Sequence, residues 1–460
     1  MAPLSKAGTA LAALREDLAG AVLTPDDAGY DEARTVFNGM IDRRPAVIAQ
    51  CESTADVVTA VRFARDLDLK VAVRGGGHSV AGMSLNDGGL VVDLRRMHEV
   101  TVHPAAGAAH IEGGATMSHL DRACQPYGLA TTGGRASTTG VGGFVLGGGS
   151  GWLDRKFGLA VDNLLGVDLV TADGETVTAT AEDHPELFWA LHGGGGNFGI
   201  ATSLTLRLHE LPDMSIAMLM YAPEHGPEAA RRFRDIVEGG PVEASGGVIY
   251  LTAPPEPFVQ PHLVGTLLCV VLLTYAGPEE PMRKLAEPLL RLPHEVEIVN
   301  AIPYADLQCM IDDPPGMRNY WSAEYLTGLP DELVQVFCAR AHSMPVPTGS
   351  QHILFPLGGA IADGPAEYPV PYRSSRWAVH PFGVWADPAD DEGCIRWVKD
   401  VREDVRPWSS GDVYLNFTGD EGSERVAAGL GEENMRRLRA VKRQYDPDNV
   451  FRFNHNIQPS

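Results

Sequence analysis

Arg74-Gly-Gly-Gly-His78-Ser79 is the stretch of this chain whose residue types bear most directly on chemistry. Consecutive glycines at 75, 76 and 77 let successive backbone N–H groups turn inward, making a concave anion site that any Cβ would crowd. Arg74 at its edge is a fixed cation suited to phosphate. His78 is an imidazole nucleophile placed where a bound phosphate ester would hold its head group. Read alone, the same residues also describe a strand, a turn and a second strand with a solvent-facing histidine. A second cluster, residues 131–151 (TTGGRASTTGVGGFVLGGGSG), shifts the balance. Val141, Phe144, Val145, Leu146 and then Trp152 stand among its glycines, as they would not in a flexible linker. Backbone is therefore pressed closely against something there. A third cluster, Gly194, Gly196 and Gly199, matches the dinucleotide spacing GxGxxG. That motif should open a helix, whereas the residues that follow, 200–208, read as a strand.

The elements that must position these clusters follow from periodicity and turn chemistry. AVIA at 46–49 reads as a strand, Ser53 as a helix N-cap with Asp56 three residues on, and Val57, Val58, Val61 and Leu67 as the apolar stripe of that helix. Val71–Val73 is the next strand, so a βαβ unit delivers the RGGGHS turn. Further strands are expected at 89–94 and 109–113, and helices at 116–127 and 184–191. From about Pro212 the glycine clusters thin out. Strands expected at 216–221, 248–252 and 263–274 alternate with helical stretches such as 279–292, which describes an α+β unit with a large sheet running to about Ser410. The last fifty residues hold Tyr414-Leu-Asn416-Phe417, an amphipathic helix near 434–444, and YDPDNVFRFNHNIQP.

Composition bounds the partners. The 460 residues carry Lys+Arg 37 against Asp+Glu 60, a net charge of −23. Such a surface argues against nucleic acid and anionic membranes. The six cysteines form no CxxC pair, so neither a zinc site nor a dense disulfide framework is suggested. No metal ligand set is expected. Arg15, Glu16 and Asp17 interrupt any apolar leader, and the longest apolar run, 263–276, is shorter than the roughly 20 residues of a membrane span. A cytoplasmic location is the resulting expectation.

Taken in order, RGGGHSVAGMS, TTGVGGFVLGGGSGWLDRKFGLAVDNL, WALHGGGGNFGI, PVPYR, YLNF and YDPDNVFRFNHNI resemble the berberine-bridge-enzyme-like branch of the vanillyl-alcohol-oxidase (PCMH-type) FAD-binding superfamily. The resemblance spans essentially the whole chain. It implies an α+β fold: an FAD-binding domain of two subdomains over residues 1–210, completed by 411–460, and a substrate domain over 211–410 with a large antiparallel sheet flanked by helices. It implies FAD held by a single covalent link through His78. Residues Val73, Arg74, Gly75, Gly76, Gly77, Ser79 and Ser84 match the pyrophosphate segment, and Gly140, Val141, Gly142, Gly143 and Phe144, with Gly149, the loop against the flavin ring. Asn197 and Ile200 match contacts on the adenine side; Tyr414, Asn416 and Asn456 match the flavin's polar edge.

Three departures from the family pattern shape the expected activity. The position of a second, cysteinyl link is Ala136, so none is expected. The oxygen-gating position is Thr139, close in shape to the valine of oxygen-accepting members, which favours an oxidase using O2. The last tyrosine of the Y-x-N-Y pattern, a base in several members, is Phe417 and cannot titrate. A replacement base is sought among Glu324, Tyr320, Tyr325, His352, Glu367 and Tyr372, with Tyr414 as an assisting hydroxyl. The resemblance thus implies oxidation of a small organic molecule, an alcohol, sugar, amine or activated C–H. A dehydrogenase using another acceptor and a non-catalytic flavin-binding protein are the alternatives.

Overall fold

The computed structural model describes residues 2–459. In its first part a small sheet runs in the order Ala21–Leu23, Val47–Gln50, Leu90–Asp93, Val71–Arg74. The last three strands are parallel. Parallel strands need a crossover between them. The helix Thr54–Asp66 supplies it, started by Ser53, whose Oγ accepts the Asp56 N–H at 3.2 Å. Leu90–Asp93 inserts between the two strands of the expected βαβ unit, so Val71–Arg74 lies on the sheet's outer edge and releases the glycine turn at its C-terminal end.

A second sheet is antiparallel, in the order Val100–His103, Ala108–Glu112, Ile200–Arg207, Leu164–Val170, Thr176–Ala179. The glycine-rich segment between the two sheets contains a short helix, Val141–Leu146, that lies against Ile200–Arg207 and the turn at Gly195–Asn197. The helix expected over 116–127 stops at Cys124 and tightens into a 3₁₀ turn at Gln125–Tyr127, which carries Pro126.

The eight-stranded antiparallel sheet of the second half follows the path Val296–Ala301, Ser215–Tyr221, Leu267–Tyr275, Ala244–Thr252, Gln351–Pro356, Trp377–Trp385, Arg318–Trp321, with Glu324–Leu326 also paired to Trp377–Trp385. It is covered on both faces, so its strands read as continuous apolar runs. Along Ser215–Tyr221, Ala217, Leu219 and Tyr221 pack under the helices Gly226–Gly239, Glu279–Leu290, Asp331–Ala341 and Asp391–Val405. Ile216, Met218 and Met220 face the other way, toward Trp152 and Leu153 of the glycine-rich segment. The Leu267–Tyr275 strand begins later than its sequence suggests because Thr266 N–H closes a turn onto Leu263 O at 2.9 Å. The chain end returns to the first half through the helix Glu432–Tyr445. Among the described residues no helix is long and apolar enough to cross a membrane, and all six cysteines are free.

Candidate active site

The glycine clusters converge on one cavity of about 400 Å³. Val73, Gly75–Gly77, His78, Ser79 and Ser84 form one wall, and Thr139, Gly140, Gly142, Gly143 and Phe144 another. Asn197, Ile200, Tyr414 and Asn416 line the cavity as well. His78 Nε2 lies 2.9 Å from Thr138 Oγ1, its ring stacks on Phe37 with centroids 4.2 Å apart, and desolvation lowers its pKa to about 4. It is thus a neutral imidazole at neutral pH, with a lone pair available to an electrophilic carbon.

Tyr414 is almost fully buried, and its phenolic oxygen accepts from Gly149 N–H (3.1 Å), Ser150 N–H (3.2 Å) and Asn416 Nδ2 (2.9 Å). With its lone pairs so engaged, its own hydrogen is left for the cavity. Burial outweighs those donors and pushes its pKa up to about 12, so Tyr414 is a hydrogen-bond donor rather than a base.

Several expected positions fall outside this wall. Arg74 does not line the cavity: its guanidinium lies beside Gly77 and donates to Ala33 O. Val141 points into the core and Gly149 lies behind Tyr414. Asn456 borders a smaller neighbouring hollow, while Asn454 and His455 reach the main cavity. Asn197 lines the cavity, but its amide is committed to Gly194 O, His455 O and Ile457 N–H.

The candidate bases are corrected more sharply. Glu324 is held by Arg402 at 2.8 Å and Ser409 at 2.9 Å, an ion-pair cluster away from the cavity. His352 faces the helices, its Nε2 3.0 Å from Phe337 O. Tyr320 packs on that same helical side. Tyr372 and Tyr325 are buried behind Tyr414, and Glu367 is exposed. None of these six lines the cavity.

Strand alternation explains the outcome and supplies what those expectations missed. Residues pointing opposite ways succeed each other along a strand. With His352 and Tyr320 turned to the helices, Gln351, Ile353, Phe355 and Trp321 turn to the cavity. The register pairs Ile353 with His380 and Gln351 with Phe382, and these two join the same face. Aromatic rings then follow one another around the cavity: His78 and Phe37, Phe37 and Trp321 at 6.3 Å, Trp321 and Phe382 at 4.9 Å, Phe382 and His380 at 5.8 Å, His380 and Phe417 at 4.2 Å, Phe417 and Tyr414 at 4.8 Å. The polar groups breaking this arc are few. Arg135 is buried, its guanidinium 4.0 Å from the Phe355 ring centroid, with Nη2 donating to Gly151 O at 3.0 Å. Asp313 is desolvated and its pKa rises to about 7.

The cradle fits a long, flat cofactor. Side chains added at Gly143 or Gly196 would meet no protein atom within 4 Å and would project into the cavity. The buried Oδ1 of Asn454, on the same wall, has no partner within the protein.

Comparison with known proteins agrees. Residues 45–180 match the FAD binding domain family, and residues 413–458 match the family described as berberine and berberine like. The chain belongs to the berberine-bridge-like FAD-linked oxidoreductases, and it is an FAD enzyme. The (R)-6-hydroxynicotine oxidase of Paenarthrobacter nicotinovorans is 33% identical over 459 residues, covering 96% of this chain and 97% of that protein. An uncharacterized FAD-linked oxidoreductase of Bacillus subtilis is 30% identical over 455 residues, with 96% and 97% covered. The crystal structure of 6-hydroxy-D-nicotine oxidase from Arthrobacter nicotinovorans superposes with a TM-score of 0.85 at 27% identity, covering 96% of this chain and 98% of that one.

Proposed function

We propose that this chain is an oxidase of small, ring-bearing alcohols or amines, with FAD attached through His78 alone. The aromatic arc from His78 to Tyr414 carries this reading. A chamber walled by aromatic rings, with few polar groups, suits an apolar ring presented edge-on or face-on. It offers little to the many hydroxyls of an oligosaccharide. A relative named for oxidation of a hydroxylated nicotine supports the same substrate class.

When bound, FAD supplies the acceptor, at N5, for the hydrogen and electron pair of a substrate C–H bond, and O2 takes those electrons on to H2O2. The chain's own residues hold and orient. Gly75–Gly77 and Gly140–Gly143 let backbone approach the cofactor closely, and His78 offers the nucleophile for its attachment. Tyr414 presents its hydroxyl hydrogen at the polar edge, and Asn416, whose two amide hydrogens go to Phe144 O and the Tyr414 oxygen, holds it there. Phe37, Trp321, Phe382 and Phe417 exclude water around the reacting carbon. Thr139 is small enough to leave O2 a path, and Ala136, also on the wall, offers no thiol for a second link.

The experiment is anaerobic bleaching of the bound flavin by a panel of benzylic alcohols, hydroxylated N-heteroaromatic amines and oligosaccharides, followed by admission of air. Ring-bearing donors should bleach it, and air should restore the colour with one H2O2 per turnover. Bleaching by oligosaccharides only, or a bleached state stable in air, sinks the proposal. Acid precipitation of wild type and His78→Ala should find colour in the pellet of the first and in the supernatant of the second.

A further inference from the structure

The cavity wall holds one basic nitrogen with nothing assigned to it. His380 Nδ1 lies 2.8 Å from the Ser322 carbonyl oxygen. A carbonyl only accepts, so Nδ1 carries the ring hydrogen and the lone pair of the neutral imidazole sits on Nε2. Among the described residues none donates to Nε2. The ring plane is fixed by Phe417, stacked at 4.2 Å and 13°, and by Phe355 at 6.3 Å and 30°. With Nδ1 tied to the wall, the edge carrying Nε2 is the one left to the cavity that His380 lines.

We propose that His380 Nε2 is the acceptor of the substrate's O–H or N–H proton. The proposal rests on the oxidase reading above. In the step, the O–H proton forms a bond to Nε2, and the electron pair of that O–H bond becomes the second bond of C=O. The C–H hydrogen leaves carbon with its bonding pair for the FAD, so the substrate loses two electrons and two hydrogens. An amine would give C=N in the same way.

The surroundings of the ring are consistent with this role. Phe355 and Ile353 from one strand, Phe382 from its own, and Phe417 from the C-terminal turn carry no charge. The charged or titratable groups around it are Arg135, Tyr414 on the far side of Phe417, and Asp313, which lines the same cavity. Burial, reinforced by the Arg135 charge, lowers the His380 pKa to about 4. The imidazole is therefore unprotonated and able to accept throughout the neutral range. A weak base suffices because the hydroxyl becomes that of a protonated carbonyl as the C–H bond breaks, and such a group is far more acidic than imidazolium.

The test uses the flavin-loaded enzyme and His380→Asn, whose Nδ2 can keep the donation to Ser322 O while Nε2 is lost. Among the imidazoles with their proton on Nδ1 in long-range ¹H–¹⁵N spectra of ¹⁵N-histidine protein, one should be missing in the variant and, in the wild type, neutral down to about pH 4.5. A proton on Nε2, or titration above pH 6, overturns the proposal without reference to turnover. In anaerobic bleaching by a benzylic alcohol, the variant should lose about 10²- to 10⁴-fold in rate. Flavin content and melting temperature should be unchanged. The wild-type rate should fall only as pH drops toward 4. A variant within threefold of wild type, or an acid limb near pH 7 that would mark Asp313 as the base, overturns the proposal and leaves the oxidase reading standing. If no ring-bearing donor bleaches the wild type, both fall together.

Discussion

Gly76 and Gly140, from two glycine clusters far apart in sequence, meet backbone against backbone, and a Cβ on either would collide with the amide nitrogen of the other. The cavity wall is therefore one seam of two loops rather than two separate turns. Gly143 stands in the same cluster under a different constraint. It lies inside the helix Val141–Leu146, and a Cβ there would meet no protein atom within 4 Å.

These two glycines should separate fold from cofactor. Gly76→Ala forces the loops apart, and because rigid backbone is what it strikes, a loss of about 3 kcal/mol or more is expected. Gly143→Ala should stabilise the protein alone by about 0.5–1 kcal/mol, as Ala does over Gly in a helix. It should also lower flavin content, since the new methyl occupies cofactor space. Denaturant unfolding measured alongside the flavin-to-protein absorbance ratio checks both. A Gly143→Ala protein that loads flavin normally would show that this stretch of wall is not against the cofactor.

The buried pair of Arg135 and Asp154 makes a second prediction. Asp154 is fully buried 3.6 Å from the guanidinium and accepts from Ser150 Oγ at 2.6 Å and Gly151 N–H at 3.1 Å. Removing one partner leaves a buried charge uncompensated, which costs about 3–5 kcal/mol, whereas removing both costs less than the sum. Asp154→Asn should thus destabilise strongly, and Arg135→Met with Asp154→Asn should recover part of the loss. Additive free energies in urea titrations would show that the two charges act independently.

The catalytic face shows how far the sequence was legible. The glycine clusters announced the cofactor cradle because only glycine suits it, and their order along the chain carried the family. The substrate face was harder to read, since both faces of the eight-stranded sheet are apolar and nothing in QHILFP or WAVHPFGVW marks which alternate residues face the cavity. His352 was the conspicuous histidine, yet strand parity hands the cavity to its neighbours Gln351 and Ile353. His380 follows only from the register that pairs it with Ile353. Glu324 was equally misleading: its carboxylate is taken up by Arg402, which lies far along the chain on a different element.

Acid stability follows from the buried imidazoles. His192, His352 and His380 have folded-state pKa values lowered to about 4, 3 and 4 by burial, against about 6.5 unfolded. Below pH 6.5 the unfolded chain takes up protons that the folded chain refuses, so stability is lost as pH falls toward 4. Asp121 and Asp313, both raised to about 7 by burial, oppose this by holding protons in the folded state over the same window. With His78, also lowered to about 4, four imidazoles stand against two carboxyls and leave a net loss on acidification, to which each imidazole contributes roughly 1.4 kcal/mol per pH unit. His352→Gln can keep a donor for Phe337 O and removes one titration, so it should flatten the slope by about that amount. Urea unfolding at pH 6.5, 5.5 and 4.5 measures it, and an unchanged slope in the variant would rule His352 out as a contributor.

Lys442 ties the chain end to the cofactor cavity. Its ammonium is buried and donates to Asn197 O at 2.7 Å, Phe451 O at 2.9 Å and Asp446 Oδ2 at 2.6 Å, one acceptor for each N–H. Asp446 in turn accepts from Val450 N–H and Phe451 N–H, which fixes the turn that follows the last helix. Asn197, Phe451, Asn454 and His455 all line the cavity, so this one ammonium joins two parts of its wall. Lys442→Met leaves two carbonyls and a carboxylate without their donor and should cost about 3–5 kcal/mol. That cost should fall on the joint rather than on the sheets. Hydrogen exchange of amides 450–457 should speed up while amides of the eight-stranded sheet keep their rates, and flavin in a His78→Ala background should dissociate faster. Equal acceleration in both regions would mean that the pair supports global stability and does not specifically clamp the cofactor wall.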